Sequence, residues 1–376
     1  MRTSRRVGVA VLAGAVVLTA AAVTGLAVPA ANAAVIGSAY VWANDSTSSS
    51  YTPSAPYQYN STGGTNTATR QGTGQYTVNL PGLGGSNGTV LVTAYGSTSS
   101  YCKVVRWARN AFASSIMQVF VNCFTADGVP ADSQYTMSYT NRLGLVHAWA
   151  WADDPTSARY TPNPNYQANS TGTANYITHN DVGVYTVHVP VSDTQTFFGH
   201  AEATAYGSGA ERCGVPQTVW SFEPEIFVQV NCFTPAGAPV DTKFTVTFVR
   251  TGNVIGQLPS NGDTDGFPSL YAHVFARNLG LTMNSGAEGD SWYVSDGGTL
   301  RVDRVGTGSY AVHSTMDSQL GFGNVEVSSM AVQTDRYCKV WFWNTSSGIQ
   351  VLCFDANGSP LDADFFISFV GRFLIA

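Results

Sequence analysis

The six cysteines are the residues of this chain whose spacing indicates their chemistry most clearly. They form three pairs, separated by 21, 19 and 15 residues: Cys102 and Cys123, Cys213 and Cys232, Cys338 and Cys353. Paired cysteines in an exported chain are predicted to be disulfides. Each pair is centred on a plausible turn, so it can bridge opposed strands of one hairpin. A bridge between two packed sheets, as in immunoglobulin domains, is the alternative.

Catalytic and metal-binding patterns are not found in the sequence. It contains no serine-hydrolase elbow, no zinc-protease helix motif and no phosphate loop. No histidine stands at zinc-ligand spacing from a cysteine. We therefore predict no metal, no cofactor and no catalytic residue. An exported hydrolase with a carboxylate pair remains an alternative, because only the fold brings such acids together. The acids considered are Asp153, Asp154, Glu223 and Glu225.

A tyrosine-rich segment occurs twice and is the best candidate for ligand binding. It reads Tyr-Thr-Pro, then Tyr-Gln, then Asn-Ser-Thr-Gly, over 51–63 and again over 160–172. Exposed tyrosine rings stack on sugars, and the amide and hydroxyl groups can bond to sugar hydroxyls. The predicted ligand-binding residues are Tyr51, Tyr57, Tyr160 and Tyr166. The alternative is structural, with proline and glycine setting turns and the tyrosines capping the end of a sandwich.

Two further residue types recur at matching places. An aspartate closes each Gly-x-Pro-x-Asp turn (Asp132, Asp241, Asp362), and an arginine follows nine or ten residues later (Arg142, Arg250, Arg372). A turn-capping aspartate or an Asp–Arg pair is favoured over a calcium site. A tryptophan near each cysteine pair (Trp107, Trp220, Trp343) is read as a core residue beside the bridge, with a sugar platform as the alternative.

These matches divide the chain into a leader and three copies. Residues 1–33 combine a basic start, an apolar run and Ala31-Asn32-Ala33, which is typical of a cleaved signal peptide. An uncleaved anchor is the alternative, because the run is long enough to span a bilayer. The predicted ranges are copy 1 (34–143), copy 2 (144–252), a linker (253–268) and copy 3 (269–376).

Each copy reads as seven or eight short strands separated by turn residues. The opening strand is predicted at 39–45, 148–154 and 272–278, and the closing strand at 135–139, 244–248 and 365–369. No amphipathic helix is indicated. Short strands in units of about 100 residues predict an all-β chain of three tandem β-sandwich domains, of jelly-roll or Greek-key type, each with one intradomain disulfide.

The charge balance narrows the class of partner. The full chain has 18 basic and 24 acidic residues, and three of the basic residues lie in the leader. The mature chain, with 15 basic residues against 24 acidic ones, therefore has a net charge of −9. Such a chain is a poor ligand for nucleic acid or for an anionic membrane. No partner of either kind is predicted, and the sequence predicts no oligomeric state.

With these motifs in view, the mature chain resembles a group of secreted actinobacterial tandem β-repeat proteins of no assigned activity. It is more weakly similar to jelly rolls of the complement and tumour-necrosis-factor type, on the Gly74-to-Tyr76 strand and the aromatic opening and closing strands. The latter resemblance implies that three copies could form a pseudo-threefold head. We predict a secreted, non-enzymatic, extracellular or cell-surface module that binds a carbohydrate or cell-wall polymer. The main alternative is a structural protein of the envelope or spore coat.

Overall fold

The computed structural model describes residues 36–85, 87–144, 146–191, 199–216, 220–222, 224–256, 269–274, 282–284, 292–330 and 336–371. The predicted leader and most of the predicted linker lie outside these residues. So do Glu223, the glycine-rich stretch after Asn284 and the Trp220 side chain. Residues 34–376 form one compact unit.

The described chain is all-β, as predicted, and β-branched and aromatic residues dominate its strands. The strands of copy 1 are β1 Ser38–Ala43, β2 Ser50–Tyr51, β3 Gln58–Asn60, β4 Thr67–Gly72, β5 Gln75–Pro81, β6 Thr89–Tyr95, β7 Tyr101–Arg109, β8 Ile116–Phe124 and β9 Gln134–Thr140. Those of copy 2 are β10 Val146–Ala152, β11 Arg159–Tyr160, β12 Gln167–Asn169, β13 Tyr176–Asp181, β14 Val184–Pro190, β15 His200–Tyr206, β16 Arg212–Gly214, β17 Trp220–Phe222, β18 Glu225–Phe233 and β19 Lys243–Thr251. Those of copy 3 are β20 Ser269–Val274, β21 Thr282–Asn284, β22 Trp292–Val294, β23 Thr299–Gly306, β24 Ser309–Ser314, β25 Asn324–Ser329, β26 Arg336–Asn344, β27 Gly348–Asp355 and β28 Phe365–Val370. Single turns of 3-10 helix lie at Ala55–Tyr57, Pro164–Tyr166 and Asp317–Gln319.

The strands of each copy form two facing antiparallel sheets. In copy 1 the order is β3-β1-β9-β6 in the first sheet and β2-β4-β5-β8-β7 in the second. Val41 and Met137 of the first sheet and Val78 and Val119 of the second are fully buried in one core. Period-two alternation therefore places one side of each strand in the sandwich, as expected for packed sheets.

The three disulfides are confirmed as hairpin bridges. Each joins directly opposed residues of antiparallel neighbours: Cys102 with Cys123 (β7, β8), Cys213 with Cys232 (β16, β18) and Cys338 with Cys353 (β26, β27). Their Cα atoms are 4.0, 4.1 and 4.0 Å apart. The alternative of a bridge between two facing sheets is therefore wrong.

Contacts between the copies close a ring. Strand β6 of copy 1 runs parallel to β26 of copy 3, with Tyr95 opposite Val340. Strand β15 of copy 2 runs parallel to β7 of copy 1, with Tyr206 opposite Val104. Between copies 2 and 3, the Val215 amide donates to the Ser329 carbonyl at 3.1 Å. Equivalent strand ends thus meet in cyclic order, so the arrangement has approximate threefold symmetry.

The strands nearest this ring are buried on both faces. On β9, Tyr135 and Met137 face the core of copy 1, whereas Thr136 and Ser138 face the other copies and are also buried. The polar residues of this strand, which a single sandwich would expose, are therefore interface residues. Alternation in the sequence identified the core face but not the burial of the opposite face.

Two sequence predictions need correction. The opening strand of copy 3 begins at Ser269, not Ala272, and is described as far as Val274; positions 275–278 lie outside the described residues. Ala272 pairs with Ile367 as Val41 pairs with Met137, so the predicted alignment was two residues out of register. The spacing of aspartate and following arginine also does not mark an ion pair in copy 1, where Asp132 is paired with Arg70; Arg372 lies outside the described residues.

The recurrent aspartate instead pairs with residues on an earlier strand. Asp132 accepts from Arg70 at 2.8 Å, and Asp362 is paired with Arg304 at the same distance. Each carboxylate also accepts from a glycine amide in the preceding hairpin turn, Gly74 or Gly308, at 2.8 Å. These glycines have positive φ, and an added Cβ would collide with backbone, so the turn requires glycine there. These contacts match the interpretation of the recurrent aspartate as a turn-capping residue.

Candidate functional site

An open groove lies where copy 1 meets copy 3, beside the parallel contact of β6 and β26. It has a volume of about 390 Å³, within the range typical of ligand sites. The end of β6, the turn that follows it, the residues before β9 and one bulge of β26 form its walls. The Gly96 amide donates to the Val340 carbonyl at 2.9 Å and fixes these walls together.

The bulge in β26 explains why an indole is exposed here. The pairing of β26 with β27 shifts between Val340 and Phe342, which leaves Trp341 as the extra residue. A bulge of this kind redirects a side chain away from the regular strand faces. Trp341 is accordingly 36% exposed, although most aromatic rings around it are packed. Its ring meets that of Phe342 edge-on, with centroids 4.9 Å apart.

A cluster of packed rings supports the opposite wall. Tyr95 lies 4.8 Å from Trp42 and 5.5 Å from Trp343 between ring centroids. Burial raises the pKa of Tyr95 to about 12, so this phenol stays neutral at any physiological pH. Tyr57 belongs to the same cluster, 4.9 Å from Trp42. The rings come from both copies, so docking of the copies builds the groove.

Asp132 is the one carboxylate among the described groove residues, and its charge is balanced by Arg70. It accepts from Arg70, from the Gly74 amide and, at 3.0 Å, from the Tyr76 hydroxyl. The hydrogen bond from Arg70 is the main reason that the pKa of Asp132 is lowered. A carboxylate held in this way orders the turn and adds little net charge to the groove.

Neutral polar groups provide the rest of the lining. The side-chain amide of Gln134 and the hydroxyl of Ser97 have no hydrogen-bond partner within the described part of the chain. Both groups are at least partly exposed to solvent. The Thr98 hydroxyl bonds to Ser100 at 2.9 Å. An amide and hydroxyls beside an exposed indole can stack on one face of a ring and bond to its edge.

An equivalent position between copies 2 and 1 has different chemistry. There Gly207 donates to the Val104 carbonyl at 2.9 Å, as Gly96 does to Val340. The bulge of β7, between Val104 and Arg106, presents Val105 where β26 presents Trp341. Lys243 occupies the place of Gln134 in the register of the closing strands. The groove therefore presents an indole and a neutral amide at these two positions, whereas its counterpart presents a valine and a lysine.

The four predicted ligand-binding tyrosines occupy two structural environments: aromatic clusters between copies, and loops within one copy. Tyr57 and Tyr166 are half-buried members of aromatic clusters at the contacts between copies, Tyr166 being 5.2 Å from Trp151. The hydroxyls of Tyr51 and Tyr160 accept from the Asp45 and Asp154 amides, at 3.0 and 3.3 Å. Only Tyr57 is close to the groove, and it is in the supporting cluster.

Of the tryptophans noted beside the disulfides, Trp107 and Trp343 are buried, at 5% and 6% exposure. Each packs against rings of a neighbouring copy, Trp107 on Trp151 and Trp343 on Trp42. The sequence analysis does not predict Trp341, because this residue is not shared by the copies. The signal in the sequence is a difference between the copies: copy 3 has a tryptophan at a position where copy 1 has Val105.

Two of the four acids considered in the sequence have local partners, and Glu223 lies outside the described residues. Asp154 accepts from the Thr156 and Ser157 amides of its own loop, and Glu225 accepts from Tyr176 and contacts His188. Within the described ranges, no three His, Cys, Asp or Glu side chains are grouped so that they could hold a metal ion. No helix among the described residues has the length and apolar character needed to cross a membrane.

No protein-family model, curated protein or solved structure matches the chain.

Proposed function

We propose that this protein is an extracellular, non-enzymatic binding protein for a neutral carbohydrate polymer, and that the groove at Trp341 is its binding site. The observation that carries the proposal is a bulge-exposed indole beside a side-chain amide and a hydroxyl that have no hydrogen-bond partner among the described residues. The sugar ring stacks on Trp341, and its hydroxyls bond to Gln134 and Ser97. Three disulfides are compatible with an extracellular location.

A neutral ligand fits this groove better than a charged one. The Asp132 carboxylate is paired with Arg70, and none of the described groove residues is a lysine, an arginine or a histidine. A charged polymer would find no counter-charge to replace its hydration. The open shape also suits a chain that continues beyond the site at both ends.

The test is retention of the protein on a panel of neutral polymers (cellulose, chitin, xylan, starch and β-1,3-glucan) and on isolated cell wall. We expect saturable retention on at least one neutral polymer. Trp341→Ala should weaken it roughly two- to twelve-fold, because one aromatic stack contributes about 0.5–1.5 kcal/mol. Val105→Ala, at the equivalent bulge, is the matched control and should bind as the wild type does.

Three results would contradict the proposal: retention on none of the polymers, equal loss in both variants, or retention that Trp341→Ala leaves unchanged. In the last case, substitution of Tyr51 and Tyr160 would test the sites predicted from the sequence. Ordered self-assembly of the protein without polymer retention would favour the envelope or spore-coat alternative.

A further inference from the structure

One sheet of copy 2 has a cluster of polar side chains on the face that points away from its core. Strands β11, β13, β14 and β18 are neighbours in this sheet. Ile177 on β13 and Val187 on β14 are buried in the core of the sandwich. Because successive residues of a strand point to opposite faces, Thr178 on β13 and His188 on β14 lie on the outer face. Both are partly exposed to solvent.

Three side chains of this face form a continuous chain of hydrogen bonds. The Glu225 carboxylate lies 3.0 Å from His188 Nδ1, and His188 Nε2 lies 3.1 Å from the Thr178 hydroxyl. An ionised carboxylate only accepts, so Nδ1 carries the hydrogen and Nε2 is left to accept from the Thr178 hydroxyl. A hydroxyl bonded to an imidazole that a carboxylate orients is the arrangement that activates a nucleophile.

One tyrosine holds both the imidazole and the carboxylate in place. Tyr176 is directly opposite His188, and their rings stack with centroids 4.1 Å apart and an interplanar angle of 13°. The Tyr176 hydroxyl also donates to the two oxygens of Glu225, at 2.9 and 2.7 Å. The base and the group that orients it are therefore fixed before any ligand arrives.

A guanidinium completes the cluster. Arg159 on β11 is directly opposite Thr178, which places the two side chains beside each other on the same face. Its guanidinium carbon lies 4.0 Å from the centroid of the Tyr176 ring, and it forms no ion pair with any described residue. Arg159 is exposed. A guanidinium over an aromatic ring keeps N–H donors at its edge, so these donors can bond to an oxyanion that develops at Thr178.

The corresponding positions of copy 1 lack this chemistry. In the matching register, the four positions of copy 1 hold Ser50, Thr69, Asn79 and Ile116 in place of Arg159, Thr178, His188 and Glu225. The Asn79 amide donates to the Thr67 hydroxyl at 3.1 Å, and an amide nitrogen has no lone pair to take a proton. Thr69 is therefore a matched threonine without a base.

We propose that Thr178 is an acyl-acceptor site, at which the protein takes up the acyl group of a reactive carboxylic ester. Thr178 Oγ1 forms a bond to the carbonyl carbon as its proton passes to His188 Nε2. Arg159 donates to the oxyanion of the tetrahedral intermediate. The intermediate expels the alcohol oxygen of the ester, which takes the proton from His188. The products are an ester on Thr178 and a free alcohol, and no atom is oxidised or reduced.

The reaction modifies the protein once and is not a turnover. An ester of an acidic alcohol has a better leaving group than an ester of threonine, so the acyl group is transferred to Thr178 faster than it is hydrolysed from it. The acyl-protein therefore accumulates, and the site attaches an acyl-bearing partner. The groove at Trp341 lies between copies 1 and 3, so the two sites can be tested independently.

The test incubates the wild-type protein with p-nitrophenyl acetate and locates the acetyl group by mass spectrometry of its peptides. We expect an acetyl group on Thr178 and none on Thr69. His188→Gln should slow the labelling of Thr178 about 100-fold or more, because a positioned base contributes about 10²–10⁴-fold. Thr178→Val should remove this label, and Thr69→Val, the matched control, should retain it.

Three results would overturn the proposal: acetyl groups on lysines alone, equal labelling of Thr178 and Thr69, or labelling of Thr178 at an unchanged rate in His188→Gln. An acetyl group that stays on His188 would also count against Thr178 as the acceptor. Urea titration checks that each variant is folded. If a variant does not fold, the comparison of Thr178 with Thr69 within the wild-type protein decides.

Discussion

Two buried glutamates at the contacts between copies should make the protein less stable as the pH rises from about 6.5 to about 8. Glu202 and Glu326 are 2% and 1% exposed, and they occupy equivalent positions on β15 and β25. Burial raises the pKa of each to about 8, and for Glu326 the neighbouring Glu202 contributes as well. Both are therefore protonated in the folded protein at neutral pH.

The sign and size of the effect follow from proton uptake. Between about pH 4.5 and 8 the folded chain keeps protons on these carboxyls that the unfolded chain has released, so the free energy of unfolding falls as pH rises. Each glutamate contributes about 1.4 kcal/mol per pH unit. From pH 6.5 to 8 the pair lowers the free energy of unfolding by about 4 kcal/mol.

Other buried groups act in the opposite direction. Burial lowers the pKa of His147 and His200 to about 3, so their contribution rises between about pH 3 and 6.5 and cancels that of the glutamates from about pH 4.5 to 6.5. Lys339, with its pKa lowered by burial to about 7, adds about 1.4 kcal/mol of stability per pH unit above that pH. The net loss from pH 6.5 to 8 is then about 3 kcal/mol.

The perturbation is the double substitution Glu202→Gln with Glu326→Gln, which retains shape and removes the titration. Urea titrations from pH 5 to pH 8.5 should show the decline in wild type and no decline above pH 6.5 in the double variant. Glu225→Gln, at a partly exposed carboxylate, is the control and should follow wild type. A wild-type curve that is flat above pH 6.5, or an equally steep decline in the double variant, would refute the reasoning.

Two further predictions concern one disulfide and one buried ion pair. Replacing Cys338 and Cys353 by serine should lower the free energy of unfolding by about 3 kcal/mol, because the bridge closes a loop of 15 residues; urea titration under oxidising conditions measures this, and an unchanged midpoint would contradict it. Glu211→Gln should cost about 3–5 kcal/mol because it leaves the Lys103 ammonium buried without its partner, and adding Lys103→Met should restore part of the loss; a double-mutant cycle without coupling would contradict the pairing.

The features that the sequence predicted are those whose partners lie within one copy. The disulfide hairpins follow from residue spacing, since opposed positions in an antiparallel pair sum to a constant. The core of each sandwich follows from alternation along the strands, as at Tyr135 and Met137. Both patterns lie within one copy, so they can be recognised without knowing how the copies pack together.

The features that could not be predicted from the sequence depend on pairs of residues far apart along the chain. Lys103 and Glu211 are 108 residues apart, and the Val327 amide and the Thr93 hydroxyl are 234 residues apart. No periodicity relates such positions. Trp341 escaped for a related reason: its exposure depends on a bulge and on the neighbouring copy, and neither has a sequence signature of its own.

The three contacts of the ring are equivalent in position but not in chemistry, and this difference can fix the order of the copies. After the first cysteine of each pair, Lys103 of copy 1 meets Glu211 of copy 2, whereas Lys339 of copy 3 meets Ser100 of copy 1. The third position is Gly214, where an added Cβ would lie 2.6 Å from the Ser329 carbonyl oxygen.

Exchanging neighbours would therefore carry a cost at each contact. A lysine at the place of Gly214 would collide with backbone, and Glu211 without Lys103 would lose the ion pair at 2.7 Å. Such differences disfavour wrong pairings as well as stabilising the right one. The same divergence places Trp341 at one contact and Val105 at another. Departures from symmetry at the ring thus specify both how the copies assemble and which contact forms the proposed binding groove.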